Sequence, residues 1–189
     1  MIEKVDEKGG IWSYNYHPSG LMGSVTRPDG KDVTFAYDAV GRRISKRFDG
    51  RTNKFLWDAN KIMHEWVEDS EQTSLNDQQI VTWLFEEETF APIAKLTKEK
   101  AYNIINDHLG TPSIMLDPDG KIVWGKTFDL FGRELQDDST TACPFRFQGQ
   151  YEDEETGLYY NQFRYYDACT SQSMEQDPFG ESDFVWVCA

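Results

Sequence analysis

Three cysteines in 189 residues, Cys143, Cys169 and Cys188, leave little scope for sulfur chemistry. None forms a CxxC pair, and an odd, widely spaced set argues against a disulfide framework or a cysteine zinc site. Reduced thiols are the expectation. Long apolar runs are missing too. No stretch reaches the ~18 residues a membrane span needs. The opening residues MIEKVDEKGG lack the apolar centre of a secretory signal. Positive charge is scarce: 19 Lys and Arg face 33 Asp and Glu, for a formal net charge of −14. That balance argues against nucleic acid or an anionic membrane as partner. No helical periodicity lasts beyond a turn or two.

The chain does carry aromatics, six Trp, nine Tyr and twelve Phe, and a repeat. Asp29-Gly30-Lys31 leads to Tyr37-Asp38-Ala39-Val40-Gly41-Arg42, and Asp49-Gly50-Arg51 leads to Trp57-Asp58. Asp119-Gly120-Lys121 leads to Phe128-Asp129-Leu130-Phe131-Gly132-Arg133. Asp-Gly suits a tight turn because Gly accepts positive φ and Asp bonds its own backbone. Pro28 and Pro118 preset φ for a type I start. The aromatic covers a sheet face while the following Asp caps the turn. Val33, Phe35 and Tyr37 alternate with polar or small residues, and Ile122 and Trp124 alternate with Val123 in the same manner. The expected class is all-β, a meander of short antiparallel hairpins, with about five strands in residues 10–67. The polar window 68–79 reads as a loop. Strands resume at Ile80–Phe85, Pro92–Leu96 and Ala101–Asn106, and Gln136–Thr141 reads as a polar connector.

From Pro144 the chain reads PFRFQGQYEDEETGLYYNQFRYYD, and Asp177-Pro178-Phe179-Gly180 follows. Two strand-like aromatic runs, Phe145–Tyr151 and Leu158–Tyr166, flank an acidic turn at residues 152–157. This block, together with Asp107-His108-Leu109-Gly110-Thr111-Pro112, Trp124, Asp129, Gly132 and Arg133, resembles the Rhs or YD-repeat family. In particular, it is similar to the RHS repeat-associated core region of bacterial polymorphic toxin proteins. The resemblance covers roughly residues 10–180 and implies a curved sheet, part of a β-shell or cocoon around a toxin. It implies as partners the remaining Rhs shell or toxin and immunity components. It also implies a cytoplasmic product before specialised secretion, then a secreted or surface-associated one. Nine residues follow Gly180, too few for a toxin domain. The expectation is therefore a truncated or orphan shell end, structural rather than enzymatic, with no cofactor and with self-association through strand edges.

The resemblance also implies a self-cleaving aspartyl-protease-type site, in which Arg164 and Asp177 take the family positions. Such chemistry needs two carboxylates sharing a proton. No second DPxG follows Asp177, and Asp167-Ala168-Cys169 replaces the family's turn-forming residues, so a vestigial site is expected. Asp107 and His108 read as a turn Asp and a packed His, since neighbours on a strand face opposite ways. His17 and His64 lack a partner at metal-ligand spacing. The acidic runs 86–88 and 152–155 read as solvated loops rather than a glycosidase pair. A rival reading is a carbohydrate- or partner-binding module that uses Trp57 or Trp124.

Overall fold

The computed structural model describes residues 2–69, 80–137, 141–147 and 149–174. Among these residues there is no helix, and all regular structure is strand. The first seven strands are β1 (Ile2–Val5), β2 (Ile11–Tyr16), β3 (Met22–Thr26), β4 (Asp32–Tyr37), β5 (Arg43–Phe48), β6 (Arg51–Asp58) and β7 (Lys61–Asp69). The next six are β8 (Val81–Phe85), β9 (Pro92–Leu96), β10 (Ala101–Asn106), β11 (Pro112–Leu116), β12 (Ile122–Phe128) and β13 (Glu134–Asp137). The last four are β14 (Tyr151–Asp153), β15 (Leu158–Asn161), β16 (Arg164–Asp167) and β17 (Gln172–Ser173). Strands β1 to β13 form one open antiparallel meander in sequence order, the wall, and β14 to β17 form a second meander, the buttress.

The turns follow from aspartate chemistry. Asp6, Asp38, Asp107, Asp117 and Asp129 each use Oδ1 to accept the backbone N–H groups two and four residues on. Three residues on, a Gly at φ between 80° and 84° returns its N–H to the Asp carbonyl. The capping Asp thus stands three before the Gly; in the Pro118 turn it is Asp117, not Asp119. Asp49-Gly50 differs: both residues have positive φ, and Phe48 pairs directly with Arg51, the two-residue hairpin that Asp-Gly favours.

One irregularity organises the wall. In six hairpins the register slips beside the loop, skipping Gly23, Ile44, Met63, Ile93, Ser113 and Leu135. Because side chains alternate with period two, one extra residue flips the face of whatever precedes it. Residues three apart then face the same way: Met22 with Val25, Arg43 with Lys46, Pro92 with Lys95, Pro112 with Met115, all buried. A further slip at Val123 corrects the expected alternation there. Ile122 pairs with Leu116 and is 55% exposed, while Trp124 pairs with Met115 and is 1% exposed, on the opposite face.

The buttress covers one wall face, and the core lies between them: Tyr14, Val25, Val33, Phe35, Phe55, Trp83 and Trp124 from the wall meet Phe145, Tyr151, Leu158, Tyr160 and Tyr165. The aromatic block departs from two long strands. Phe145–Tyr151 is a tight reversal in which only Phe145 and Tyr151 bridge, because Gln150 N–H closes back on Phe147 C=O. Leu158–Tyr166 splits into β15 and β16 around Gln162, whose φ is 49°. Residues 10–67 hold six strands rather than five, since the Asp49-Gly50 turn divides β5 from β6. Glu68 and Asp69 belong to β7; the rest of the 68–79 window lies outside the described residues, and β13 takes in the first two residues of the expected 136–141 connector.

Candidate functional site

The chemistry concentrates where buttress meets wall. The slip at Ile44 aims Arg43 inward, where its side chain is completely buried beside the equally buried Asp153 of β14. Arg43 Nη1 donates to the Asp153 carboxylate and to Tyr165 Oη at 3.0 Å, and its backbone N–H donates to Tyr160 Oη at 2.9 Å. The guanidinium also lies over the rings of Tyr160 (4.3 Å) and Phe55 (4.8 Å), with Tyr151, Phe35 and Tyr165 within 6 Å. Lys46, one inward position along, reaches Asp153 Oδ1 at 3.1 Å and Glu155 Oε2 at 2.6 Å. Two wall cations thus hold two buttress carboxylates inside an aromatic shell.

A second cluster lies further along. Glu65 of β7 accepts hydrogen bonds from Tyr151 Oη at 2.6 Å and Trp83 Nε1 at 3.1 Å. Lys95 donates to Ala142 C=O at 2.8 Å and lies over the Trp83 ring. Arg146 pairs with Glu152 and lies over Phe128. Burial pushes the Cys143 thiol up to about 11, which keeps it protonated and unreactive. Ring packing knits these clusters together: Phe145 meets Trp83, Phe85 and Tyr151 edge to face, with centroids 4.9 to 5.8 Å apart.

The two seam carboxylates titrate in opposite senses. Burial opposes charge on Asp153, but Arg43 and then Lys46 outweigh it and hold its pKa below 3.8. Its contribution to stability is present above 3.8 and lost as pH falls through the lower folded value. Glu65 is raised above 4.5 by burial, which its hydrogen bonds to Tyr151 and Trp83 only partly offset. Folding therefore favours its protonated form, and stability declines as pH rises from 4.5 through the folded value. Urea midpoints measured against pH are expected to fall on both sides of an acidic optimum. Glu65→Gln should remove the decline above 4.5 and leave the acid limb intact.

The residues singled out in the sequence take varied places. Asp107 and Asp129 are turn caps. His108 is exposed rather than packed, because it occupies a turn and not a strand. Gly110 supplies the left-handed turn position, and Pro112 is buried at the start of β11. Gly132 packs against the Phe147 and Tyr159 rings, and a Cβ there would come within 3.1 Å of Phe147. Tyr159 Oη donates to Gly132 C=O at 2.7 Å, so this corner is a docking point for the buttress. Arg133 is exposed and bonds Asp129. His17 lies edge-on to Tyr37, and His64 shares a hydrogen bond with Thr82. Trp124 is enclosed and presents no ring face to a sugar, whereas Trp57 is half-buried, donates to Arg43 C=O and packs edge-on to Tyr160. Arg164 is half-buried on β16, paired across the sheet with Asn161. Asp177 and Cys188 lie outside the described residues.

The largest departure concerns residues 152–155. Read as a solvated acidic loop, they instead place Glu152 on Arg146, Asp153 on Arg43 and Lys46, and Glu155 on Lys46. Cations that the slipped register turns inward draw them down. Sequence reasoning missed Arg43, Lys46, Glu65, Lys95 and Asp153 as a group. The available signal was that Tyr151 and Asp153 share a face by period two, so one buried member implied the other.

The chain matches the Teneurin YD-shell family over residues 5–186. It is 30% identical over 173 residues to "Double-stranded DNA deaminase toxin A" of Burkholderia cenocepacia, covering 79% of this chain and 12% of that protein. It is 28% identical over 212 residues to "Toxin protein Tse5" of Pseudomonas aeruginosa, covering 95% and 16% respectively. The chain therefore spans only a small part of these relatives. Among solved structures, the TcdB2-TccC3-Cdc42 crystal structure superposes with a TM-score of 0.72 at 18% identity, covering 96% of this chain and 10% of that one. The Photorhabdus luminescens Tc holotoxin pore gives 0.68 at 17% identity over 89% of this chain and 9% of that one. These likenesses concern the fold. An open hairpin wall, aspartate-capped corners and an aromatic buttress over the match to residues 5–186 lead to one conclusion: the chain belongs to the YD-shell family.

Proposed function

We propose that the chain is a structural, non-catalytic unit: a shell segment that carries its own internal buttress and helps enclose a toxin supplied by other sequence. The observation that supports this most is the seam. Arg43, Lys46 and Asp153 are spent on joining buttress to wall, an investment in rigidity at the face that would line an interior. Among the described residues the wall ends in two strands, β1 and β13, each paired on one side, an arrangement that suits a piece of a larger sheet. Several matched proteins are named as toxins, and specialised secretion as part of such an assembly is the setting this role implies. Among the described residues no helix is long and apolar enough to cross a membrane.

The role is tested by co-expressing the chain with the preceding repeats of a relative's shell as a separate polypeptide. Co-elution as one species is expected, and independent elution would count against a shell role. Intact mass tests the rival autoproteolytic reading: a mass steady at 21.9 kDa over days is expected. Loss of a C-terminal peptide, abolished by Asp177→Asn, would replace the structural reading with an enzymatic one.

A further inference from the structure

The wall face away from the buttress changes character across the sheet. On β4 to β7 its outward positions include Asp32, Arg47, Lys54 and Glu68. On β8 to β12 no outward strand position is charged. Register aligns Leu84, Ala94, Asn103, Leu116 and Ile122 in one row across five strands, with Ile105 and Ile114 paired in the next. Leu84 is 42%, Ile105 47% and Ile122 55% exposed. In a chain of net charge −14, an uncharged five-strand face ringed by polar loops is a contact surface.

We propose that this face binds a second copy of the chain, sheet against sheet about a two-fold axis. Size is the first argument. Five strands ~4.8 Å apart and five residues at ~3.3 Å give a projected footprint of roughly 400 Å². With side-chain relief, the accessible area is on the order of 600–800 Å² per copy, the lower bound for a stable dimer. Charge is the second. A two-fold contact buries the same patch on both copies, so any charge on it would lose its water twice; the outward positions of β8 to β12 carry none. Aligned packing of two such faces, ~10 Å apart, buries the Leu and Ile rows against each other. The expected dissociation constant is on the order of 10 µM, in keeping with the small area.

Sedimentation velocity on the full chain from about 5 to about 200 µM tests this. The expected mass rises from 21.9 kDa towards twice that value. The double variant Ile105→Lys/Leu116→Lys, with a wild-type near-ultraviolet dichroism spectrum, should stay monomeric. If that variant fails to fold, Ile122→Lys at the patch border should weaken association at least tenfold. A wild-type chain that stays monomeric overturns the proposal. So does a dimer that either folded variant leaves intact, which would move the contact to a strand edge.

Discussion

Asp153→Ala is expected to cost about 3–5 kcal/mol of unfolding free energy, the scale seen when one partner of a buried pair is removed. The variant leaves the Arg43 guanidinium wholly enclosed, with Tyr165 Oη as its remaining side-chain acceptor and Lys46 reduced to Glu155. Against a typical domain stability of about 5–15 kcal/mol, that loss brings the seam near the edge of folding. Urea titration followed by tryptophan fluorescence measures it. The companion Arg43→Met/Asp153→Leu should be less damaging than Asp153→Ala alone, because removing both charges leaves none unpaired. A double variant as damaged as the single would mean that the rings around Arg43 depend on its charge more than on the ion pair.

Trp83→Ala is expected to cost a similar ~3–5 kcal/mol, by a different route. The indole is 2% exposed, edge-on to Phe145 at 4.9 Å, and donates to Glu65. Truncation opens a cavity, removes one of the two hydrogen bonds given to Glu65, and strips Lys95 of the ring beneath it. Trp83→Phe keeps most of the volume and loses the N–H, so its cost should fall to roughly 1–3 kcal/mol, the penalty for an unsatisfied buried acceptor. The difference between the two variants separates packing from hydrogen bonding at this position.

Much of the architecture was legible because it depends on local rules. Turn aspartates, left-handed glycines and alternating Val33, Phe35 and Tyr37 are properties of a few adjacent residues, and Pro92–Leu96 and Ala101–Asn106 emerge with their expected bounds. The seam was not legible, for a physical reason. Period two places Arg43 and Lys46 on opposite faces; only the skipped Ile44 unites them, and a skipped residue shows in pairing rather than composition. The same blind spot misassigned Ile122. The acidic run 152–155 was misread because its partners lie more than a hundred residues away for Arg43, and a charge looks solvated until its counter-charge is located. Arg164 and Asp177 were carried by resemblance, and the described residues bring no second carboxylate to Arg164.

Among the described residues the wall has thirteen strands, each antiparallel to the next, and thirteen is odd. Its first and last strands therefore run in the same direction, which gives the sheet a polarity like that of an arrow with matching ends. Two such walls placed side by side with the same face outward, last strand to first, meet in the parallel sense, the slightly weaker pairing. Whatever prolongs the sheet favourably must present a strand of opposite heading, as a chain does when it doubles back through a turn. Strand parity thus gives the described sheet a heading, and a strand that returns through a turn meets either of its edges in the antiparallel sense.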